Sequence, residues 1–175
     1  MATTLLTPEI AVFTGLRAWI LSALPAGTEV IQELDNRVPM PAGGFVLMNC
    51  LNRHPIEWPS VSWDDTATVS AMTIKRPVDF AIQLDAYGPD SADWVTALDT
   101  LWMSASTCDA LEPYGMDPLY NEDPRQIPFI DGEHQYEHRW CMTVHLQYNP
   151  AVSVDMQFAT EAEVTLVNVE ATYPT

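Results

Sequence analysis

Apolar residues at Ile10, Phe13, Leu16, Ile20 and Leu24 recur every three to four positions, the period of a helix with one stripe on a core. Val12 and Trp19 widen that stripe. Thr7 is the N-cap candidate, Pro8 suits the first helical position, Glu9 favours the first turn, and Pro25 with Gly27 ends the helix. Residues 28–32 and 44–52 read as short strands separated by the proline-containing stretch 35–43. Residues 53–65 hold His54, Pro55, Trp58, Pro59 and Trp63 without a clean period and are expected to form an exposed loop. Residues 66–73 predict another strand. Strict alternation follows over 77–87, with Val78, Phe80, Ile82 and Leu84 on one face and Asp79, Ala81, Gln83 and Asp85 on the other, the signature of a half-buried strand.

The turn Gly88-Pro89-Asp90-Ser91 leads into a second amphipathic helix through Trp94, Val95, Leu98, Leu101 and Trp102, ending near Thr107. A second proline-rich loop is expected over 112–135. The longest strand candidate spans 135–149, with Tyr136, His138, Trp140, Met142, Val144, Leu146 and Tyr148 on one face. Extended, it would reach about 45 Å, so its start is expected to bend or to leave the sheet as an arm. A linker around 155–160 precedes a last strand over 163–170. This order predicts a single α+β domain over 1–175: a mostly antiparallel sheet with two amphipathic helices packed on one face.

Composition supports a packed fold. Apolar residues make up 47% of the chain and charged residues 18%. Fourteen prolines against seven glycines stiffen the connections between periodic segments. The net charge of −17, from 7 basic and 24 acidic residues, excludes binding of nucleic acid by phosphate neutralisation. Cys50, Cys108 and Cys141 are an odd, widely spaced set, expected as reduced thiols. The start MATTLLTPE lacks a basic n-region, and no apolar run nears the roughly 18 residues of a membrane span, so a soluble protein made in a cytoplasm is expected.

Little in the chain suggests catalysis. His134 and His138 have helical metal-ligand spacing but fall in a strand pattern, where they would stand about 13 Å apart. The adjacent carboxylates Asp64-Asp65 and Glu122-Asp123 lie in predicted loops with no nucleophile, oxyanion donors or glycine-rich phosphate loop beside them. No cofactor and no enzymatic activity are expected. Trp19, Trp94, Trp102 and Trp140 fit helix or strand patterns and a core role, whereas Trp58 and Trp63 stand in one polar loop and suit a protein interface.

The passage from Leu84 to Asp93, together with Asp117-Pro118-Leu119-Tyr120 and the run from Asp123 to Trp140, resembles the neck and tail-terminator proteins of tailed bacteriophages. The helix around Leu16-Arg17-Ala18-Trp19-Ile20-Leu21, the segment Asp35-Asn36-Arg37-Val38-Pro39 and the ending Ala171-Thr172-Tyr173-Pro174 extend the likeness over most of the chain. The resemblance implies a non-catalytic virion protein of the head-to-tail junction. Such subunits close as rings, commonly of six, cap the tail tube protein, end tail growth and face the head-to-tail connector or collar. The tail is expected to be contractile, which adds the tail sheath as a partner.

A ring subunit must bury two different surfaces, and the loops 53–65 and 112–135 are the expected sources. The candidate subunit or partner contacts are Trp58, Trp63, Asp123, Arg125, Phe129, Tyr136 and Arg139. Arg125 and Arg139 are either cross-subunit donors to carboxylates or paired within the chain. If genome DNA passes through the ring, an acidic lumen would let it slide without binding. The alternative is a monomeric adaptor that takes a protein or peptide partner through the Trp58 and Trp63 loop or a sheet edge.

Overall fold

A computed structural model describes residues 3–32, 41, 43–66, 70–130 and 136–157. Strand β1 (Thr3–Leu5) precedes helix α1 (Glu9–Ala23), then come β2 (Glu29–Gln32), β3 (Phe45–Pro55), β4 (Ser60–Asp65), β5 (Ser70–Lys75) and β6 (Val78–Tyr87). Helices α2 (Ser91–Trp102) and α3 (Ala105–Leu111) and a 3-10 turn (Glu112–Tyr114) lead to β7 (Met116–Asn121), β8 (Arg125–Gln126) and β9 (Phe129–Ile130). The described chain ends with β10 (Tyr136–Glu137), β11 (Arg139–Tyr148) and β12 (Ala151–Met156).

The expected α+β class holds, and the helices gather on one face of the larger sheet. Six strands form that sheet in the order β2-β3-β6-β11-β7, with β8 pairing on β11 beyond β7. All its pairings are antiparallel except β2 with β3, which run parallel. Phe80, Ile82 and Leu84 of β6 lie beside Leu146, Val144 and Met142 of β11 in register, so alternate residues of neighbouring strands share the core face. Against them pack Val12, Phe13, Leu16 and Ile20 of α1, Val95 and Leu98 of α2, and Leu111 of α3.

Trp19 and Trp102 meet edge to face at 5.1 Å in the middle of the helix layer. Each indole N–H has an acceptor: Trp19 donates to the Thr107 hydroxyl at 2.9 Å, and Trp102 donates to the Tyr120 carbonyl at 3.0 Å. Thr107 in turn donates to the Leu101 carbonyl at 2.7 Å. This chain of bonds ties α1, the end of α2, α3 and β7 together.

A smaller sheet of four strands, in the order β1-β12-β5-β4, continues the larger one. β3 passes into β4, β5 into β6, and β11 into β12, so three strands of each sheet are prolongations of the other. The break between the sheets runs through prolines: Pro55 ends β3, Pro59 precedes β4, Pro77 separates β5 from β6, and Pro150 separates β11 from β12. Proline has no N–H to give to a ladder and favours a bend at a strand end. The proline carbonyls still accept across the line, Pro77 from the Ile56 N–H at 3.0 Å and Pro150 from the Arg76 N–H at 3.1 Å.

Several expectations are corrected. Pro8, not Thr7, occupies the cap position of α1, and Ile10 lies off the buried stripe at 64% exposed. The second helix stops at Trp102, where Ser104 caps a separate α3 through the Thr107 N–H. Residues 53–65 are not a loop: they complete β3, cross the proline line and form β4. The segment 112–135 contains β7, β8 and β9 where a loop was expected, and the long strand over 135–149 is interrupted at His138 between β10 and β11. β12 occupies the start of the expected linker, the strand expected over 66–73 sits at Ser70–Lys75, and β1 had no sequence signal. The strand expected over 163–170, His134 and most of 35–43 lie outside the described residues.

The Thr107 hydroxyl is expected to be the weakest point of the helix layer. Thr107→Val should cost about 1–3 kcal/mol in urea unfolding, because it leaves the Trp19 indole N–H unsatisfied. Thr107→Ser, which keeps the hydroxyl, should cost less.

Candidate interaction surfaces

The second face of the larger sheet carries the polar half of the alternation, yet much of it is buried. Asp85 is only 1% exposed. Arg139, its register neighbour but two on β11, donates to it at 3.1 Å, and the Gln83 amide donates to it at 2.7 Å. The Arg139 guanidinium also lies 5.6 Å over the Tyr87 ring, which stacks on Phe45 at 4.7 Å. Further along the same face, His145 Nδ1 is 2.9 Å from Asp79, and the His145 ring stacks on Tyr120 at 4.1 Å. These groups satisfy one another, as buried polar groups must.

Glu122 approaches the other ring nitrogen of His145 at 4.0 Å. Among the described residues no cluster of three or more histidine, cysteine or acidic side chains is placed to hold a metal ion. Burial pushes the Cys50 thiol above its ordinary value, with Arg53 pulling the other way, so the nucleophilic thiolate is disfavoured there. Arg53 itself pairs with Glu9 of α1 and covers the Phe80 ring at 4.8 Å.

The outer edge of the larger sheet is formed by β7 and β8 along β11. Glu122 N–H donates to the Thr143 carbonyl at 2.8 Å and Ile127 N–H to the Arg139 carbonyl at 3.0 Å, so residues 122–127 follow β11 although only short pieces are regular strand. Asp123 and Arg125 are exposed on this edge, and Arg125 approaches Glu122 at 3.5 Å. Pro118, Pro124 and Pro128 punctuate it, the usual way an edge is kept from pairing. Phe129 and Tyr136 lie on the facing strands β9 and β10, which pair antiparallel.

The smaller sheet is amphipathic. In register, Leu5, Val152, Ile74 and Val61 form one apolar row, and Val154, Met72 and Trp63 form the next. The row between them on the other face is Thr4, Ser153, Thr73 and Ser62. Trp63 is 58% exposed, and Trp58, at the bend before β4, is 91% exposed. Leu5, Val61 and Trp63 on the edge strands are exposed, while Val152, Ile74, Val154 and Met72 between them are half-buried, so the apolar surface open to a partner lies at the edges.

The structure therefore separates the sequence candidates. Trp58 and Trp63 belong to the smaller sheet and its bend; Asp123 and Arg125 stand on the far edge of the larger sheet; Arg139 is held by Asp85 within the chain. Sequence reasoning missed the apolar partners of Trp63. The alternation Ser60-Val61-Ser62-Trp63-Asp64 was a usable strand signal, overshadowed by the prolines on its N-terminal side.

The buried charges of this α+β chain are paired within it, and its exposed apolar and edge residues lie on separate elements. The model of the family described as phage neck terminator protein matches residues 11–170. The chain belongs to this family, in agreement with the resemblance carried by the runs from Leu84 and from Asp123. Among solved structures it is similar to the sheath/tube terminator, in the extended state, of the extracellular contractile injection system PVC, seen by cryo-EM. That match has a TM-score of 0.42 and 12% identity and covers 96% of this chain, which spans 64% of the length of the other. Among curated proteins, none matches the sequence.

The two arginines are expected to behave differently. Arg139→Met should lower stability by about 3–5 kcal/mol, since Asp85 is left buried and unpaired. Arg125→Met, on an exposed pair, should change it by no more than about 1 kcal/mol. Urea unfolding of the two variants checks both.

Proposed function

We propose that this neck terminator subunit closes with copies of itself, six in number, into a ring that caps the tail tube and ends its growth. Membership of the neck terminator family over residues 11–170 is the observation that carries this reading. The ring sits in the neck of the virion, is assembled in the host cytoplasm, and meets the head-to-tail connector on one side and the tube protein and contractile sheath on the other. The chain acts by shape and contact, without catalysis or cofactor.

Two features of the molecule support a ring. Rotational closure joins unlike surfaces, and the chain has two: the bend and smaller sheet with Trp58 and Trp63, and the far edge with Asp123, Arg125 and the β9–β10 pair carrying Phe129 and Tyr136. The composition supports passage of DNA: with net charge −17 on each copy, a lumen lined by carboxylates repels a duplex and holds it off the wall.

The test is to add the purified chain to isolated tail tubes and image them by negative stain. Rings at one end of each tube are expected, and tubes polymerised in the chain's presence should stop at a defined length. Monomers alone, with tube ends left bare, would reject the ring in favour of a monomeric adaptor. Retention of duplex DNA by the purified ring at physiological salt would reject the acidic lumen.

A further inference from the structure

The bend that joins β3 to β4 holds a cavity of about 240 Å³ lined by Pro55, Ile56, Glu57, Trp58 and Arg76. Trp58 is 91% exposed and Ile56 44%, so an apolar patch stands beside one charge of each sign. Among the described residues neither Glu57 nor Arg76 has an ion-pair partner. On the far edge, Asp123 and Arg125 are exposed and two residues apart, so along the extended segment they stand on one side about 7 Å from each other. Asp123 has no ion-pair partner among the described residues. The approach of Arg125 to Glu122, at 3.5 Å between exposed side chains, is of a kind that holds weakly in water. The bend thus presents a carboxylate and a cation, and the edge a cation and a carboxylate.

The two places lie on opposite flanks of the molecule. β3 leads into β4, β5 into β6 and β11 into β12, so the order β4-β5-β12 in the smaller sheet matches β3-β6-β11 in the larger. The bend therefore sits on the β3 flank, whereas Asp123 and Arg125 sit beyond β11 on the other. β2, also on the β3 flank, pairs with Phe45–Met48, at the end of β3 away from the bend. Closure by rotation joins one flank of each copy to the opposite flank of the next.

The geometry points to a second copy of this chain as the occupant of the bend cavity, with Arg125 of the next copy held between the Glu57 carboxylate and the Trp58 ring, and Asp123 of that copy paired with Arg76. An arginine suits the place because its planar fork bonds a carboxylate while its flat face lies on an indole. Both members carry both signs, so a shift of register sets like charges together, and the pairs select one docking in a chain whose net charge of −17 otherwise opposes association. This inference rests on the ring reading and names the groups through which the ring closes.

The test uses the full chain: mass photometry over a concentration series counts copies per ring, and negative stain shows rings on tail tubes. Arg76→Glu and Asp123→Arg should each raise the concentration needed for rings by at least about tenfold. Mixed one to one, these two variants should recover rings to within about threefold of wild type, with the variants alternating around the ring, because every head-to-tail contact then joins opposite charges. Arg125→Lys, which keeps the charge and loses the fork, should fall between wild type and Arg125→Ala. Glu57, Trp58, Arg76, Asp123 and Arg125 are all exposed, so these variants should fold as wild type does, which urea unfolding checks.

Rings that form in each single variant as readily as in wild type overturn the inference and leave the ring reading standing. A one-to-one mixture that stays open overturns it as well. If wild type forms no ring, alone or on tail tubes, the ring reading fails and this inference with it. Hydrogen exchange identifies other occupants: slow exchange around Trp58 in the dilute monomer would mean that the chain covers its own bend, and slow exchange only on added tail tubes, with rings indifferent to the charge reversals, would mean a tail protein. Either result overturns the inference.

Discussion

The meeting of Trp19 with Trp102 holds the helix layer in register with the sheet. Two large rings in a dry core contribute most of their stabilisation by leaving water, but each carries an N–H that would cost free energy if left alone. Thr107 and the Tyr120 carbonyl accept those protons, and their positions explain why the chain breaks between α2 and α3. A single helix running to Thr107 would not present the Thr107 hydroxyl where it meets both the Trp19 indole and the Leu101 carbonyl. The acceptor at Tyr120 fixes β7 against the end of α2, and β7 begins the far edge of the sheet. Thus the exposed edge with Asp123 and Arg125 is positioned from the core outward.

The line of prolines divides the long strands into a packed body and a projecting sheet. On the body side the strands have a helix layer to bury their apolar face. Beyond the line the alternation continues, but no helix among the described residues covers it, so Val61 and Trp63 remain in water. A monomer gains nothing from such a face, whereas a subunit that works by association does. The polar face of the body has the opposite character: Asp85, Arg139, Gln83, Asp79 and His145 pair among themselves, a use that stabilises the subunit and leaves little for a partner.

Acidity and assembly are in tension in this molecule. Copies with net charge −17 repel one another, so any contact between them must concentrate apolar area and cations where they count. The smaller sheet and its bend hold both, in Trp58, Trp63, Lys75 and Arg76. Repulsion elsewhere on the surface then opposes wrong contacts.

The sequence by itself determined the class of fold, the family and the central strands. The alternation through Phe80, Ile82 and Leu84 and through Met142, Val144 and Leu146 was unambiguous because each strand buries one continuous apolar face, and the stripe of α1 was legible for the same reason, apart from Ile10. What only the tertiary structure decided depends on contacts between distant segments. Pro55, Pro59, Pro77 and Pro150 looked like separate loop braces, and they form one bend only because β3, β6 and β11 lie side by side. The segment 53–65 read as a loop since strand pairing is not a local property: Ser60–Asp65 is a strand because β5 is there to bond it. Arg139 could have pointed outward or inward by pattern alone, and Asp85, far away in the chain but two register positions off in space, settled it with a buried carboxylate.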